Sequence, residues 1–150
     1  MQINLIKSKN LLTRASGYLK GVCSHSLNPY GGCGYGLSSC GEGCYVRFNP
    51  WLTRGREWGK FVDVKINAEE LYRQSAEKEK NWAHKRSIPF GIFMSSATDP
   101  WQPAEKKYRV TRAVLQAMTI SPPDTLILQT HSASILDDQE TLLKLAQLCS

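Results

Sequence analysis

Residues 88–118 read IPFGIFMSSATDPWQPAEKKYRVTRAVLQAM and contain one complete strand–loop–helix unit. The apolar run at residues 88–94 is typical of a buried strand, and the polar residues 95–103 predict the turn that closes it. From Val110 to Met118 the apolar residues recur at helical spacing, which predicts a helix. This unit favours an α/β fold.

The same order of strand, loop and helix is repeated on both sides of this unit. Upstream, residues 22–30 predict a short strand, and a helix is expected to begin after the N-cap Asn67 and to end at about Trp82 or His84. Downstream, residues 125–130 predict a buried strand and residues 138–148 a helix. Because strands that alternate with helices imply parallel pairing, the loops that follow the three strands are expected to meet on one face.

The rest of the chain gives weaker signals. Residues 1–21 have no clear period and are interpreted as an N-terminal lead-in, which makes residues 22–150 a single incomplete domain. Residues 45–61 are aromatic and basic and are predicted to be irregular rather than helical. A closed α/β barrel usually needs more than about 200 residues. We therefore expect the N-terminal half of a larger domain, apparently truncated.

Composition indicates an ordinary globular protein, with 41% hydrophobic and 21% charged residues. No apolar run reaches the roughly 20 residues of a membrane span, and residues 1–12 lack the apolar centre of a secretion signal, so we expect a cytoplasmic protein. The formal net charge of +6 permits a nucleic-acid partner, although the basic residues are scattered along the chain.

Three of the five cysteines, Cys33, Cys40 and Cys44, lie in or next to a loop at residues 31–43 that holds six of the eleven glycines. An odd number of cysteines excludes complete internal disulfide pairing, and clustered cysteines without a signal peptide more often bind metal. Soft thiolate ligands select zinc, Cu(I) or iron–sulfur clusters. The loop is therefore predicted to bind metal.

The spacing of the cysteines leaves the metal open. Three thiolates suit a four-iron cluster with one iron free for a further ligand. A structural zinc site needs a fourth ligand, for which Cys23 and His25 are the nearby choices. A loop without metal is the third reading. Otherwise Cys23 and Cys149 are interpreted as buried or incidental thiols.

Four motifs occur in order along the chain. They are SLNPYGGC at residues 26–33, CYV at 44–46, TDPWQPAE at 98–105 and TRA at 111–113. Together they resemble the radical SAM superfamily, and within it most closely the branch related to spore photoproduct lyase. The resemblance extends over residues 10–148.

The resemblance implies a fold, cofactors and a chemistry. The fold would be the first three β/α units of a partial TIM-type (β/α)6 barrel. A [4Fe–4S] cluster on Cys33, Cys40 and Cys44 would bind S-adenosylmethionine at its open iron and cleave it reductively to a 5′-deoxyadenosyl radical. A flavodoxin- or ferredoxin-type electron donor is expected. An inactive, truncated remnant that binds no cofactor is the alternative reading of the same residues.

The chain departs from the family pattern at the cysteines. The family spacing is Cys-x3-Cys-x2-Cys, whereas this loop has three extra residues in the first gap and one in the second. A glycine-rich insertion can bulge while the sulfur atoms keep their places. The family also tends to place an aromatic residue before the last cysteine, where this chain has Gly43, which leaves Tyr45 as the expected aromatic contact of the cofactor.

Polar residues after the second strand are predicted to contact the methionine end of the cofactor. They are Ser95, Ser96, Thr98 and Asp99. A hydroxyl or carboxylate there can accept a hydrogen bond from the cofactor amino group, and the same residue types also form ordinary turns. Residues 129–132, which include His131, end the third strand and are further candidates.

Aromatic and basic residues interleave between the cysteine loop and the first long helix. They are Arg47, Trp51, Arg54, Arg56 and Trp58. This pattern is typical either of a surface that stacks and neutralises a nucleic-acid strand or of tryptophans that pack on the scaffold.

Overall fold

The computed structural model describes residues 1–149, in which seven strands form two sheets. The strands are β1 (Gln2–Ile6), β2 (Leu12–Arg14), β3 (His25–Leu27), β4 (Tyr30–Gly31), β5 (Phe61–Lys65), β6 (Gly91–Met94) and β7 (Thr125–Leu128). The α-helices are α1 (Pro50–Thr53), α2 (Ala68–His84), α3 (Glu105–Tyr108), α4 (Val110–Met118) and α5 (Gln139–Leu148). The longest helix, α2, has 17 residues. No helix within residues 1–149 is both long enough and apolar enough to cross a membrane. The predicted domain ends at Ser150, which lies outside the described residues.

The larger sheet has the strand order β2-β3-β6-β7. Strands β3, β6 and β7 are parallel, and β2 is antiparallel to β3 at the edge. Leu27 pairs with Met94, which in turn pairs with Leu128, so the three parallel strands end level with one another. The loops that follow them therefore begin at the same edge of the sheet.

The smaller sheet, of order β1-β5-β4, contains part of the predicted lead-in. Strand β1 is parallel to β5, with pairs from Gln2–Phe61 to Ile6–Lys65. Residues 1–21 are thus part of the fold and contribute two strands, β1 and β2. Their side chains are mostly exposed, so they carry no apolar period, and their position depends on backbone pairing with distant strands.

The helices follow the predicted pattern closely. Helix α4 has the predicted bounds, and α2 begins directly after Asn67. Asn67 does not cap the helix with its side chain, however. Its Oδ1 accepts from the Ser8 amide at 2.9 Å and its Nδ2 donates to the Ser8 carbonyl at 2.9 Å. The side chain thus ties the N-terminal segment to the start of α2.

Residues 45–61, predicted to be irregular, contain two short helical turns before β5 begins. A 3₁₀ helix occupies Tyr45–Phe48, and α1 follows it. Asn49 caps α1, because its side chain accepts from the Trp51 amide at 3.0 Å, and proline fills the next position. The cap and the proline therefore favour the start of α1 although the segment has no clear helical period.

Strand β7 was predicted to be buried, and the structure differs. Its residues alternate between exposed and half-buried. The reason is its place at the edge of the larger sheet, where one neighbour is missing within residues 1–149. Strand β6, inside the sheet, is buried as predicted.

The core lies between the larger sheet and the helices α2 and α4, which pack against each other. A buried carboxylate fixes the loop before α4 to this core. Glu105 accepts from the Thr111 and Arg112 amides, each at 3.0 Å, and from the hydroxyl of Tyr30. Tyr30 lies just before the cysteine loop. The Glu105 carboxylate therefore connects the segment after β3 to the segment between β6 and α4.

Candidate metal and cofactor site

A cavity of about 210 Å³ lies where the loops after β3, β6 and β7 meet. All eight residues predicted as ligands or cofactor contacts line it: Cys33, Cys40, Cys44, Tyr45, Ser95, Ser96, Thr98 and Asp99. Of the further candidates at residues 129–132, Gln129 and His131 line the same cavity, whereas Thr130 and Ser132 do not. The predicted convergence of the three loops is confirmed, while the roles of these residues stay predictions.

The three cysteines of the loop lie at different depths. Cys33 and Cys44 are buried, with 9% and 8% of their surface exposed, whereas Cys40 is exposed and its Sγ lies 3.4 Å from His131 Nε2. Burial raises the pKa of the Cys33 and Cys40 thiols, and negative charge on Asp99 and on a neighbouring cysteine raises it further. Because thiolates are disfavoured here, a bound cation is what would stabilise them.

The donor set can be tested against one ion and against a cluster. Within residues 1–149, no three His, Cys, Asp or Glu side chains are arranged around a single metal position. Cluster ligands each bind a different iron and so lie farther apart than ligands that share one ion. Cys33, Cys40 and Cys44 line one cavity, so the donor set has the thiols that such a cluster needs.

Unpaired polar atoms in the cavity wall also point to a bound group. The hydroxyls of Ser95 and Thr98 and the indole N–H of Trp58 are buried, and each lacks a hydrogen-bond partner within the described residues. All three residues line the cavity. Because buried polar atoms are nearly always paired, these atoms fit a polar ligand in the cavity.

Ser95 has an unusual backbone conformation. It directly follows β6 and is buried, with a φ of 68° in the left-handed region that few residues other than glycine adopt. Its amide donates to the Leu27 carbonyl at 2.7 Å, which holds this conformation in place. Strained residues of this kind concentrate at functional sites.

Asp99 connects the two loops on one side of the cavity. Its Oδ1 accepts from the Trp101 amide at 2.9 Å and from the Thr130 hydroxyl at 2.8 Å, while its Oδ2 accepts from the His131 amide at 2.7 Å. The predicted cofactor contact is therefore already engaged by the protein. Its observed effect is to hold His131 beside Cys40.

Gln102 positions the cysteine loop, and sequence reasoning assigned it no role. The side chain is fully buried; its Oε1 accepts from the Gly34 amide at 2.7 Å and its Nε2 donates to the Gly32 carbonyl at 3.4 Å. Gly32 has a φ of 72°, and a Cβ there would lie 2.4 Å from the Phe61 carbonyl oxygen. These contacts bracket Cys33. The available signal was the place of Gln102 inside the TDPWQPAE motif.

Tyr45, the expected aromatic contact of the cofactor, lies at the rim of the cavity. Its ring is exposed, and its hydroxyl donates to the Ser96 carbonyl. Tyr35, which was not predicted, also lines the cavity, and its hydroxyl donates to the Trp101 carbonyl at 3.2 Å. Two tyrosines thus link the cysteine loop to the loop after β6.

The residues considered as a fourth zinc ligand do not line the cavity. His25 is fully buried, with Nε2 at 2.9 Å from Glu79 Oε2 and Nδ1 at 2.8 Å from the Ser24 hydroxyl. Cys23 and Cys149 are half-buried free thiols. The imidazole that does lie beside a loop cysteine is that of His131, with Nε2 3.4 Å from Cys40 Sγ.

Comparison with known proteins shows a likeness to a protein of an archaeon. The chain is 31% identical over 123 residues to an uncharacterized protein of the archaeon Methanocaldococcus jannaschii. The aligned region covers 81% of this chain and 40% of the relative, so the chain spans well under half of that protein's length. No family model matches the chain, and no solved structure matches it.

Proposed function

We propose that the chain is part of a radical SAM protein of the branch related to spore photoproduct lyase. Cys33, Cys40 and Cys44 bind a [4Fe–4S] cluster, and the loop after β6 binds S-adenosylmethionine. The parallel strands with α2, α4 and α5 are then the first three β/α units of a partial (β/α)6 barrel. The observation that carries the proposal is the cavity, since residues chosen on separate loops from sequence motifs line it together.

The bound cluster and S-adenosylmethionine would supply reductive cleavage to methionine and a 5′-deoxyadenosyl radical. The chain's part is to bind and orient. The unpaired Ser95 and Thr98 hydroxyls are available for the amino and carboxylate groups of the cofactor, and Tyr45 offers an aromatic face at the rim. Burial of Cys33 and Cys44 keeps water from two of the three sulfur atoms.

The remaining parts of the proposal concern partners. A flavodoxin- or ferredoxin-type protein would reduce the cluster, and the exposed Cys40 marks the side of the loop nearest to solvent. The setting would be the cytoplasm. The net charge of +6 permits a nucleic-acid substrate without requiring one.

One observation favours a second candidate, a structural zinc module. Cys40 Sγ lies 3.4 Å from His131 Nε2, and a Cys3His set is a known zinc site. Against it, no three such donors surround a single position within residues 1–149. The two candidates differ in metal content, and a colourless chain without metal would instead indicate an inactive remnant.

Anaerobic reconstitution with iron and sulfide tests the proposal. We expect a brown protein with about four irons per chain, and an electron paramagnetic resonance signal after reduction that changes when S-adenosylmethionine is added. The triple variant Cys33→Ala, Cys40→Ala, Cys44→Ala should lose the iron. Cys23→Ala is the matched control, because this thiol lies outside the cavity, and it should load normally. One tightly held zinc, or no metal at all, would contradict the proposal.

A further inference from the structure

A second cavity, of about 230 Å³, adjoins the candidate cofactor cavity. The two cavities share four lining residues, Val46, Trp58, Ala97 and Thr98. A molecule that occupied the second cavity would therefore reach the wall of the first.

The second cavity contains two cationic side chains without a counter-ion. Lys65, the last residue of β5, lines it, and its Nζ donates to the Asn28 carbonyl at 2.6 Å. An ammonium group has three N–H donors, so two remain for a ligand. Arg54 lines the same cavity, and within residues 1–149 neither Arg54 nor Lys65 forms an ion pair.

The one carboxylate in the cavity wall is already neutralised. Asp63 accepts two hydrogen bonds from the Arg56 guanidinium, at 2.8 and 2.7 Å, and one from Asn4 at 2.8 Å. It is therefore not available to Lys65 or Arg54. Within the described part of the chain, the charged side chains of the cavity wall that lack an ion-pair partner are therefore the cations Lys65 and Arg54.

The shared wall adds two unpaired polar atoms. Trp58 Nε1 and Thr98 Oγ1 are buried without a partner within the described residues, and both residues line both cavities. An indole N–H, like an ammonium or a guanidinium group, can only donate. A ligand that satisfies the indole, ammonium and guanidinium donors must accept hydrogen bonds, and charge-assisted bonds to an anion are the strongest of that kind.

We propose that the second cavity binds the phosphate or carboxylate group of a small organic substrate, whose remainder passes Trp58 and Thr98 into the first cavity. Trp51, 86% exposed, gives the cavity rim a flat apolar face for the body of that substrate. The assignment to a substrate rests on the proposed function of the first cavity. The anion site itself needs no cluster.

The surrounding charges favour a small anion over a nucleic-acid strand. Of the three interleaved arginines, Arg47 pairs with Glu42 and Arg56 pairs with Asp63, so only Arg54 is left without an acidic partner within residues 1–149. A strand-binding groove follows the backbone with several free cations. In the wall of the second cavity, by contrast, the cations without an acidic partner among the described residues are Arg54 and Lys65.

Calorimetric titration of the 150-residue protein with phenyl phosphate and with benzoate tests the site. Lys65→Met and Arg54→Gln should each weaken binding by about tenfold or more, because each removes a charge-assisted hydrogen bond, and Lys65→Arg should retain most of it. The matched control is Lys60→Met, which removes an exposed lysine just before β5, at the opposite end of that strand; its affinity should stay within about twofold. Phosphate and carboxylate are distinguished by which probe binds more tightly.

The pH dependence of binding gives a second readout that a merely structural lysine would not produce. Burial, with a contribution from Arg54, lowers the pKa of Lys65 to about 8. Because the ammonium form binds the anion, affinity for phenyl phosphate should fall as the pH rises above 8, and Lys65→Arg should remove this fall. Arg56 lowers the pKa of Asp63 and burial raises that of Tyr30, so neither titrates in this range.

The outcomes separate this inference from the proposed function. Binding by Lys65→Met equal to that of the unchanged protein, or tighter binding of a single-stranded oligonucleotide than of either probe, would overturn the anion site. Normal anion binding by a chain that takes up no iron supports the site and contradicts the cluster. Normal iron uptake without anion binding supports the cluster and contradicts the anion site.

Discussion

Two loops face each other across the candidate site, and the chain holds them in different ways. The loop after β6 is buried at Asp99, Trp101 and Gln102 and is cross-linked to the loops after β3 and β7. The cysteine loop is mostly exposed at residues 37–43 and is held there chiefly by local backbone turns. One side of the cavity is thus built by the protein alone. The other contains the predicted ligands and would gain order from what it binds.

The largest expected effect concerns the rigid side. Trp101 is buried and its Nε1 donates to Asp138 at 2.8 Å, so Trp101→Ala should lower the free energy of unfolding by about 3–5 kcal/mol, measured in urea. Leu37→Ala, in the exposed part of the cysteine loop, is the comparison and should cost less than about 1 kcal/mol. Equal costs would remove the distinction between the two loops.

A middle effect is expected at the contact between the loops. Gln102→Met keeps the side-chain volume but leaves the Gly34 amide and the Gly32 carbonyl without their partner. The loss should be about 1–3 kcal/mol of stability, with faster hydrogen exchange at the Gly34 amide. Gln116→Met, on the exposed face of α4, serves as control. Unchanged exchange at Gly34 would show that Gln102 does not fix the cysteine loop.

The smallest effect concerns the pliable side and depends on the proposed cluster. Reconstitution should slow hydrogen exchange at residues 36–43 by about tenfold, which corresponds to about 1.4 kcal/mol. Exchange at residues 99–102 should stay as it was, because that loop is already ordered by its own contacts. Slower exchange at residues 99–102, with unchanged exchange at residues 36–43, would contradict this prediction.

The parts of the fold that sequence predicts are those with local signals. Helix α4 was found with its bounds because Val114, Leu115 and Met118 recur at helical spacing and are buried. The meeting of the three loops followed from alternation alone, since parallel strands end at one edge. The candidate site could be predicted to the level of which residues share a cavity, and their chemistry stays a proposal.

The parts that escaped prediction depend on distant partners. Strand β1 has mostly exposed side chains, so only its pairing with β5 defines it. Asn67 is of a residue type that often caps helices, but its side-chain amide contacts the backbone of Ser8, 59 positions away in sequence. Gln102 is similar, because its partners Gly32 and Gly34 lie far upstream. Patterns read from neighbouring residues cannot predict contacts between residues so far apart in the sequence.

The arrangement of the smaller sheet has a practical consequence for anyone who clones shorter versions of this protein. Strand β5 lies between β1 and β4, and it carries Lys65 at one end and Phe61, which stacks edge-on with Trp58, at the other. A gene shortened to begin at codon 22 would remove β1 and expose the backbone donors and acceptors along one edge of β5, whose residues Asp63 and Lys65 line the second cavity. Bared edges of this kind recruit other chains, so such a product would be prone to aggregate.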